Sequence, residues 1–402
     1  VTNLDPPKLF GPEMLADPYP YYRKLRETHP VFHVAELDAW VVTSYEAVNG
    51  ALRNPQLSSD RFPRLRQRLA SKGLASLAED RVRSMIHMDP PDHTRLRSLV
   101  NKAFTPKTVD AMTGHIQDIV NELLNAVDGQ ERMDIIEDFA YPLPVTVIAE
   151  MLGVPAADRA RFRHWSDEVS VVLGGDVAAL SETLLRRATT AREELADYFK
   201  DIVRQRRKNP GIDLISALTQ AEEEGGKLSE DELYSTVVLL LVAGNETTTN
   251  LIGNGMLALL RHPDEMQKVW DSPSRVPAAV EEMLRFDSPV QLTTRMAKTD
   301  LEIQGTKIRK GDWLYLVVGA ANRDPAQFPD SDRFDVSRAE NKHIAFGAGA
   351  HFCLGAPLAR LEAQIAVRAL REHFPKPRLG EETIEYRNNF NLRGLKSLPV
   401  LL

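Results

Sequence analysis

The chain holds a single cysteine, Cys353, in the stretch HIAFGAGAHFCLGAPLARLE (343–362). One thiol cannot close an internal disulfide, and the commonest role of a lone cysteine is that of a small buried hydrophobe. Zinc fits poorly, because a structural site takes about four ligands and His351 is the one candidate nearby. Gly347 and Gly349 begin a GxG, but Phe352 occupies the third glycine place of a dinucleotide loop. A cysteine nucleophile with a histidine base from elsewhere in the fold stays open. A thiolate metal ligand explains more of the surroundings. Gly347, Gly349 and Gly355 let the backbone bend close to the sulfur, so that amide hydrogens can face it. Leu358, Leu361, Ile365 and Leu370 have helical spacing just beyond. The positive amino-terminal end of that helix would favour the thiolate.

Three further constellations carry chemistry. In VAGNETTTN, Glu246, Thr247, Thr248 and Thr249 interrupt an apolar helix, directly after the small Ala243 and Gly244. A polar face turned to water would explain the acid and alcohols alone; the small pair before them would let a flat ligand lie against the helix. A threonine there can also bond the carbonyl four residues back. In EEMLR, Glu282 and Arg285 are three apart and share a helix face, as surface pairs commonly do. In DPPDHTRLR, His93 and Arg97 share another face, and Arg295 opens a strand in QLTTR. Each of these basic residues could equally be solvated helix or strand charge.

Taken together and in order, these segments resemble the cytochrome P450 superfamily, over essentially the whole chain and in its bacterial form without a membrane anchor. FGAGAHFCLG matches the haem-ligand loop without a gap at Phe346, Gly349, His351, Cys353 and Gly355. The resemblance implies Cys353 as the proximal iron ligand of haem b, whose axial thiolate favours O–O cleavage. It assigns proton relay to Glu246 and Thr247, haem contact to Ala243 and Gly244, and propionate contacts to His93, Arg97, Arg295 and His351. Glu282 and Arg285 become a structural ExxR pair with Arg333 of PDSDRFDVSR as the second arginine. By position, Leu239, Val242, Val290, Leu292 and Phe390 should line a substrate pocket, with parts of the 60–86 and 168–182 regions. Four arginines, Arg61, Arg64, Arg66 and Arg68, fall in the first of these and read mainly as a solvated face.

The activity implied is a haem-thiolate monooxygenase, inserting one atom of O2 into a medium or large hydrophobic molecule such as a macrolide, terpenoid, steroid or fatty acid. Hydroxylation and epoxidation are both within that chemistry. With one cysteine the chain cannot hold an iron–sulfur cluster of its own, so the electrons should come from a ferredoxin and its NAD(P)H-dependent reductase. Arg95 and Lys102 could meet such an acidic partner. A peroxide-driven fatty-acid peroxygenase is a rival reading, as is a haem-binding sensor without turnover; neither has need of Glu246 and Thr247.

The elements that must hold these residues are mostly helical. The sequence has 402 residues, 43% hydrophobic and 27% charged, with a net charge of −7. That balance suits a globular protein with a sizeable core and gives no general pull toward nucleic acid or anionic membrane. The single cysteine suits a reducing cytoplasm, and the charged, proline-bearing amino terminus does not read as a signal peptide. VVLLLVAG is too short to span a bilayer, so no membrane anchor is expected. Apolar residues three and four apart predict helices over 15–28, 92–104, 108–127, 142–152, 156–174, 178–207 and 211–224. A longer helix runs from Ser229 to before Pro263, roughly 50 Å, opened by a Ser229/Glu232 capping box. Strand patterning collects at 40–43, 290–297, 301–308, 313–318 and near the carboxy terminus. The expectation is a mainly α fold with a minor β-rich region, one domain over 1–402, monomeric, with haem between the long helix and the helix behind Cys353.

Overall fold

Helical spacing in the sequence becomes helix almost everywhere it was expected, and the computed structural model describes residues 11–71, 73, 84–173, 181–211, 213–223 and 229–402. The chain divides into two compact units: Val1–Ser58 with Val120–Pro142 and Thr247–Leu402, and Ser59–Ile119 with Leu143–Glu246.

The first unit carries the sheets. Five strands order as Val31–Val34, Ala39–Val42, Trp313–Leu316, Thr293–Ala297 and Leu57–Ser58. All neighbours are antiparallel except Ala39–Val42 beside Trp313–Leu316, where Trp40 pairs with Leu314 in parallel. Val42, Val48, Leu314 and Leu316 pack on one face; Val41, Leu292, Trp313 and Tyr315 pack with Tyr22 and Leu25 on the other. This alternation is what a two-sided sheet demands. Leu301–Ile303 and Thr306–Ile308 form a hairpin whose turn, Gln304 and Gly305, has φ of 46° and 78°, the left-handed pair that matches strand twist. Val290 stays outside the strand expected over 290–297. It makes an isolated bridge to Leu392, and the Gln291 amide donates to the Asn391 carbonyl at 2.8 Å, drawing the backbone away from the ladder until Thr293.

The second unit is helical. Arg159–Leu173 packs along Glu182–Lys208 through Phe162 against Phe199, edge-on at 5.9 Å, and Trp165 against Tyr198 at 5.3 Å. The Trp165 indole N–H donates to Glu194 at 2.8 Å, so the buried ring is satisfied. The helix expected over 108–127 is two, Pro106–Ala111 and Thr113–Asn125.

One 32-residue helix, Glu230–Arg261, begins in the second unit and continues into the first. Its capping box forms: the Ser229 amide donates to Glu232 at 2.9 Å and the Glu232 amide to Ser229 Oγ at 3.2 Å. The helix runs unbroken through Glu246–Thr249. In its second half Gly253 and Gly255 admit close neighbours, since a Cβ there would meet Ile136 Cδ1 and Met283 Sδ, each at 2.4 Å.

Candidate active site

The cysteine loop is built as its glycines suggest. Gly347 and Gly349 both adopt the left-handed conformation, with φ of 72° and 70°. A Cβ on Gly349 would also lie 2.9 Å from the Leu52 carbonyl oxygen, so no other residue fits that turn without displacing backbone. The Cys353 amide donates to the Phe346 carbonyl at 2.9 Å, closing the loop, and helix Ala356–His373 starts three residues on. Cys353, Leu354 and Gly355 are partly exposed, and a Cβ on Gly355 would meet nothing within 4 Å. Cys353 therefore sits, partly exposed, ahead of a helix amino terminus, the setting in which a thiolate is favoured. His351 ends the short turn Gly349–His351 and is half-buried.

A charged bracket holds this loop from behind. Arg360, on helix Ala356–His373, donates to both oxygens of Glu281, at 2.7 and 2.9 Å, and the His343 ring bonds Glu281 Oε2 at 3.0 Å. The same guanidinium lies 4.6 Å from the centre of the Phe346 ring. Burial pushes the Glu281 carboxyl up, but the bonds from His343 and Arg360 outweigh it and hold the pKa at about 2. Sequence reading missed this bracket, although Glu281 lies in EEMLR and His343 and Arg360 lie in the cysteine stretch, because nothing in the spacing says that the two segments meet.

Glu282 and Arg285 form a fully buried pair, joined at 2.8 Å through both Nε and Nη2. Arg285 also donates to the carbonyls of Asn322, Ser331 and Arg333. The expectation for Arg333 needs correction. Its guanidinium is 60% exposed and 3.8 Å from Glu265. The second arginine on Glu282 is Arg338, 10% exposed, with Nε 3.2 Å from Oε2. The main chain explains the exchange: Arg333 lends its carbonyl to Arg285, which turns its side chain outward, and the Asp335 amide donates to Glu282 as the chain returns toward it.

On the long helix, Ala243 is exposed and Gly244 and Thr247 are half-buried, while Leu241, Val242, Asn245, Glu246 and Thr248 are buried. Positions 243, 244 and 247 share one face, and this stretch of the helix leaves them uncovered while residues 239–242, 245, 246 and 248–250 are buried. Asn245 is tied to Ser166, donating at 3.0 Å. His93 is buried, and burial followed by the nearby Arg97 charge lowers its pKa. Arg295 is 5% exposed and donates to the carbonyl of Thr294 at 2.8 Å and the hydroxyl of Thr293 at 3.4 Å. Within the first unit, a thiol ahead of a helix and the buried Arg295 are groups that could hold a metal and an anionic arm; within the second, the small Ala243 and Gly244 and the buried His93 are groups that could meet a flat ring and another such arm. Among the described residues no group of three or more His, Cys, Asp or Glu could hold a metal ion by itself.

Of the expected pocket residues, Leu292 and Phe390 line one cleft of the first unit, Val290 lies beside it in the bridge to Leu392, and Leu239 and Val242 are buried on the long helix. Residues 72, 74–83 and 174–180 of the two expected pocket regions lie outside the described residues, as do the side chains of Arg68 and Lys102. Arg95 is paired with Glu232, at 2.5 and 3.2 Å, which removes it as a ready contact for an acidic partner.

Comparison with known proteins gives the family. The family model described as Cytochrome P450 matches residues 12–271 and 275–389. Cytochrome P450 CYP107DY1 of Priestia megaterium is 42% identical over 97% of both chains. The 6-deoxyerythronolide B hydroxylase of Saccharopolyspora erythraea is 42% identical over 98% of both. Among solved structures, P450BioI in complex with hexadec-9Z-enoic acid ligated acyl carrier protein superposes with a TM-score of 0.89 at 38% identity, covering 97% of this chain and 99% of that one. The chain belongs to the cytochrome P450 family. It is a monooxygenase of that family, with the haem-thiolate iron cofactor that membership implies. Among the described residues no helix is long and apolar enough to cross a membrane.

Proposed function

We propose that the protein, acting as one domain, oxygenates a medium or large hydrophobic molecule on haem b bound through Cys353, with electrons from a ferredoxin and its reductase. The observation that carries this is the single thiol, partly exposed in a glycine-bent loop just ahead of a helix; on the long helix the small Ala243 and Gly244 run into Glu246 and Thr247. Bound haem would supply the activation of O2 and its insertion into a C–H or C=C bond. Cys353 would hold the iron through its sulfur, while the loop amides and the helix end moderate the thiolate charge. Arg295, His93, Arg97 and His351 would receive the propionates, and Phe346, Gly349 and Gly355 would shape the loop against the ring. Thr247 Oγ1 would pass a proton drawn from the buried Glu246 carboxyl toward the oxygen being reduced. Relatives support the substrate class: one is named a hydroxylase of a deoxyerythronolide, another is solved with a fatty acid on its carrier.

The relay has a direct test. Thr247→Ala should keep NAD(P)H consumption but divert most of it to hydrogen peroxide, lowering product per electron pair severalfold; unchanged coupling would remove Thr247 from the relay. Spectral titration with hydrophobic natural products, followed by product analysis, identifies the substrate.

A further inference from the structure

The second half of the long helix carries two asparagines four residues apart, Asn250 and Asn254, each 1% exposed. Both belong to the first unit, as do Thr247, Asp287 and the Arg393–Gly394 stretch. The two amides meet that stretch together. Asn254 Nδ2 donates to the Arg393 carbonyl at 2.9 Å and, more weakly, to the Asp287 carbonyl at 3.5 Å. A Cβ on Gly394 would overlap Asn250 Oδ1 and lie 2.8 Å from its Nδ2, so the Asn250 amide fills the space that a side chain at 394 would need.

These contacts leave hydrogen-bonding capacity unused. Both groups facing the Asn254 amide are acceptors, so its nitrogen must point at them. Its Oδ1 then has no hydrogen-bond partner among the described residues, and Asn250 has none for either Nδ2 or Oδ1. Buried amides are nearly always satisfied, because an unmet one gives up its hydration without return. The unmet set is two acceptors and one donor. A cation would use only the first and an anion only the second. Water uses both, and a buried water takes about two to four polar partners.

Position gives such water a task. Thr247 precedes Asn250 by three residues and Asn254 by seven, so the three lie along one side of the helix. Neighbours at these spacings have Cβ atoms about 5–6 Å apart, a gap that one water bridges with two ordinary hydrogen bonds.

We infer that Asn250 holds two ordered waters, one toward Asn254 and one toward Thr247, and is thereby a positioning residue for the relay. The first accepts from Asn250 Nδ2 and donates to Asn254 Oδ1. The second donates one hydrogen to Asn250 Oδ1 and the other to Thr247 Oγ1. Accepting on that side, the Thr247 hydroxyl keeps its own hydrogen for donation elsewhere. The role of the waters rests on the relay assigned to Thr247 above; their presence does not.

A high-resolution crystal structure of the holoprotein should show a water within hydrogen-bonding distance of each Asn250 amide atom; a dry amide, or one bonded only to protein, would overturn the assignment. Asn250→Leu keeps the shape of the side chain and removes the amide. Its urea midpoint should fall, because Asn254 Oδ1 loses its donor, whereas a midpoint that holds or rises would mean that a dry, unmet amide had been removed. Hydrogen peroxide formed per NAD(P)H should rise severalfold in Asn250→Leu and stay near wild type in Asn250→Ser, whose hydroxyl and freed space keep water in place. Adding Asn250→Leu to Thr247→Ala should raise it no further, since both changes act through one hydroxyl. Unchanged peroxide in Asn250→Leu, or effects that add in the double variant, would remove Asn250 from the relay. If Thr247→Ala alone leaves coupling unchanged, the relay reading fails, while the electron density and the urea midpoint still decide the water site.

Discussion

At the scale of single residues, the buried Glu362 and the half-buried Glu281 are shifted in opposite directions. Glu362, on the helix behind Cys353, is 2% exposed, and burial pushes its carboxyl up to about 8. Between the ordinary value near 4.5 and about 8, the folded chain holds a proton the unfolded chain has lost. Its contribution to stability is therefore full below the unfolded value and falls as pH rises through about 8. Glu362→Gln removes the titration while keeping the shape. Urea midpoints at pH 5 and 8.5 should show the wild type losing a few kcal/mol more than the variant, by the scale of about 1.4 kcal/mol per pKa unit; parallel losses would contradict the assignment. Glu281 runs the other way. Held at about 2, it stabilises the fold above its unfolded value, and that stability disappears as pH falls toward 2. Glu281→Gln should be less stable at pH 7 by about 2 kcal/mol, and the difference should close by pH 2–3 in acid titrations followed by circular dichroism.

At the scale of elements, the buried Glu282–Arg285 pair shows what spacing in the sequence can and cannot say. Two charges three apart on an apolar helix identify the pair, because neither can be buried alone. Choosing between Arg333 and Arg338 required knowing where the chain turns, and that depends on backbone carbonyls and amides that carry no side-chain signature. Arg338→Ala should lower stability by about 3 kcal/mol, while Arg333→Ala, on an exposed side chain, should stay within about 0.5 kcal/mol. Chemical denaturation of both variants decides which arginine braces Glu282. The long helix was legible from its cap to its last turn, since its apolar spacing and the Ser229/Glu232 box act locally. Val290 was misread because its strand-like composition is overruled by hydrogen bonds to the 391 region, about a hundred residues away.

At the scale of the whole molecule, chemistry was more legible than surroundings. The cysteine loop could be read because its glycines, thiol and following helix are contiguous. The bracket of Glu281, His343 and Arg360 could not, because it joins segments far apart in sequence and made of common surface residues. The loop bracketed in this way presents one thiol, and the proposed function places that thiol on the haem iron. The reduced protein under CO tests this most directly. The account predicts the red-shifted Soret band of thiolate-ligated haem, lost in Cys353→Ser; a histidine-type band in the wild type, or a thiolate band surviving that substitution, would contradict it.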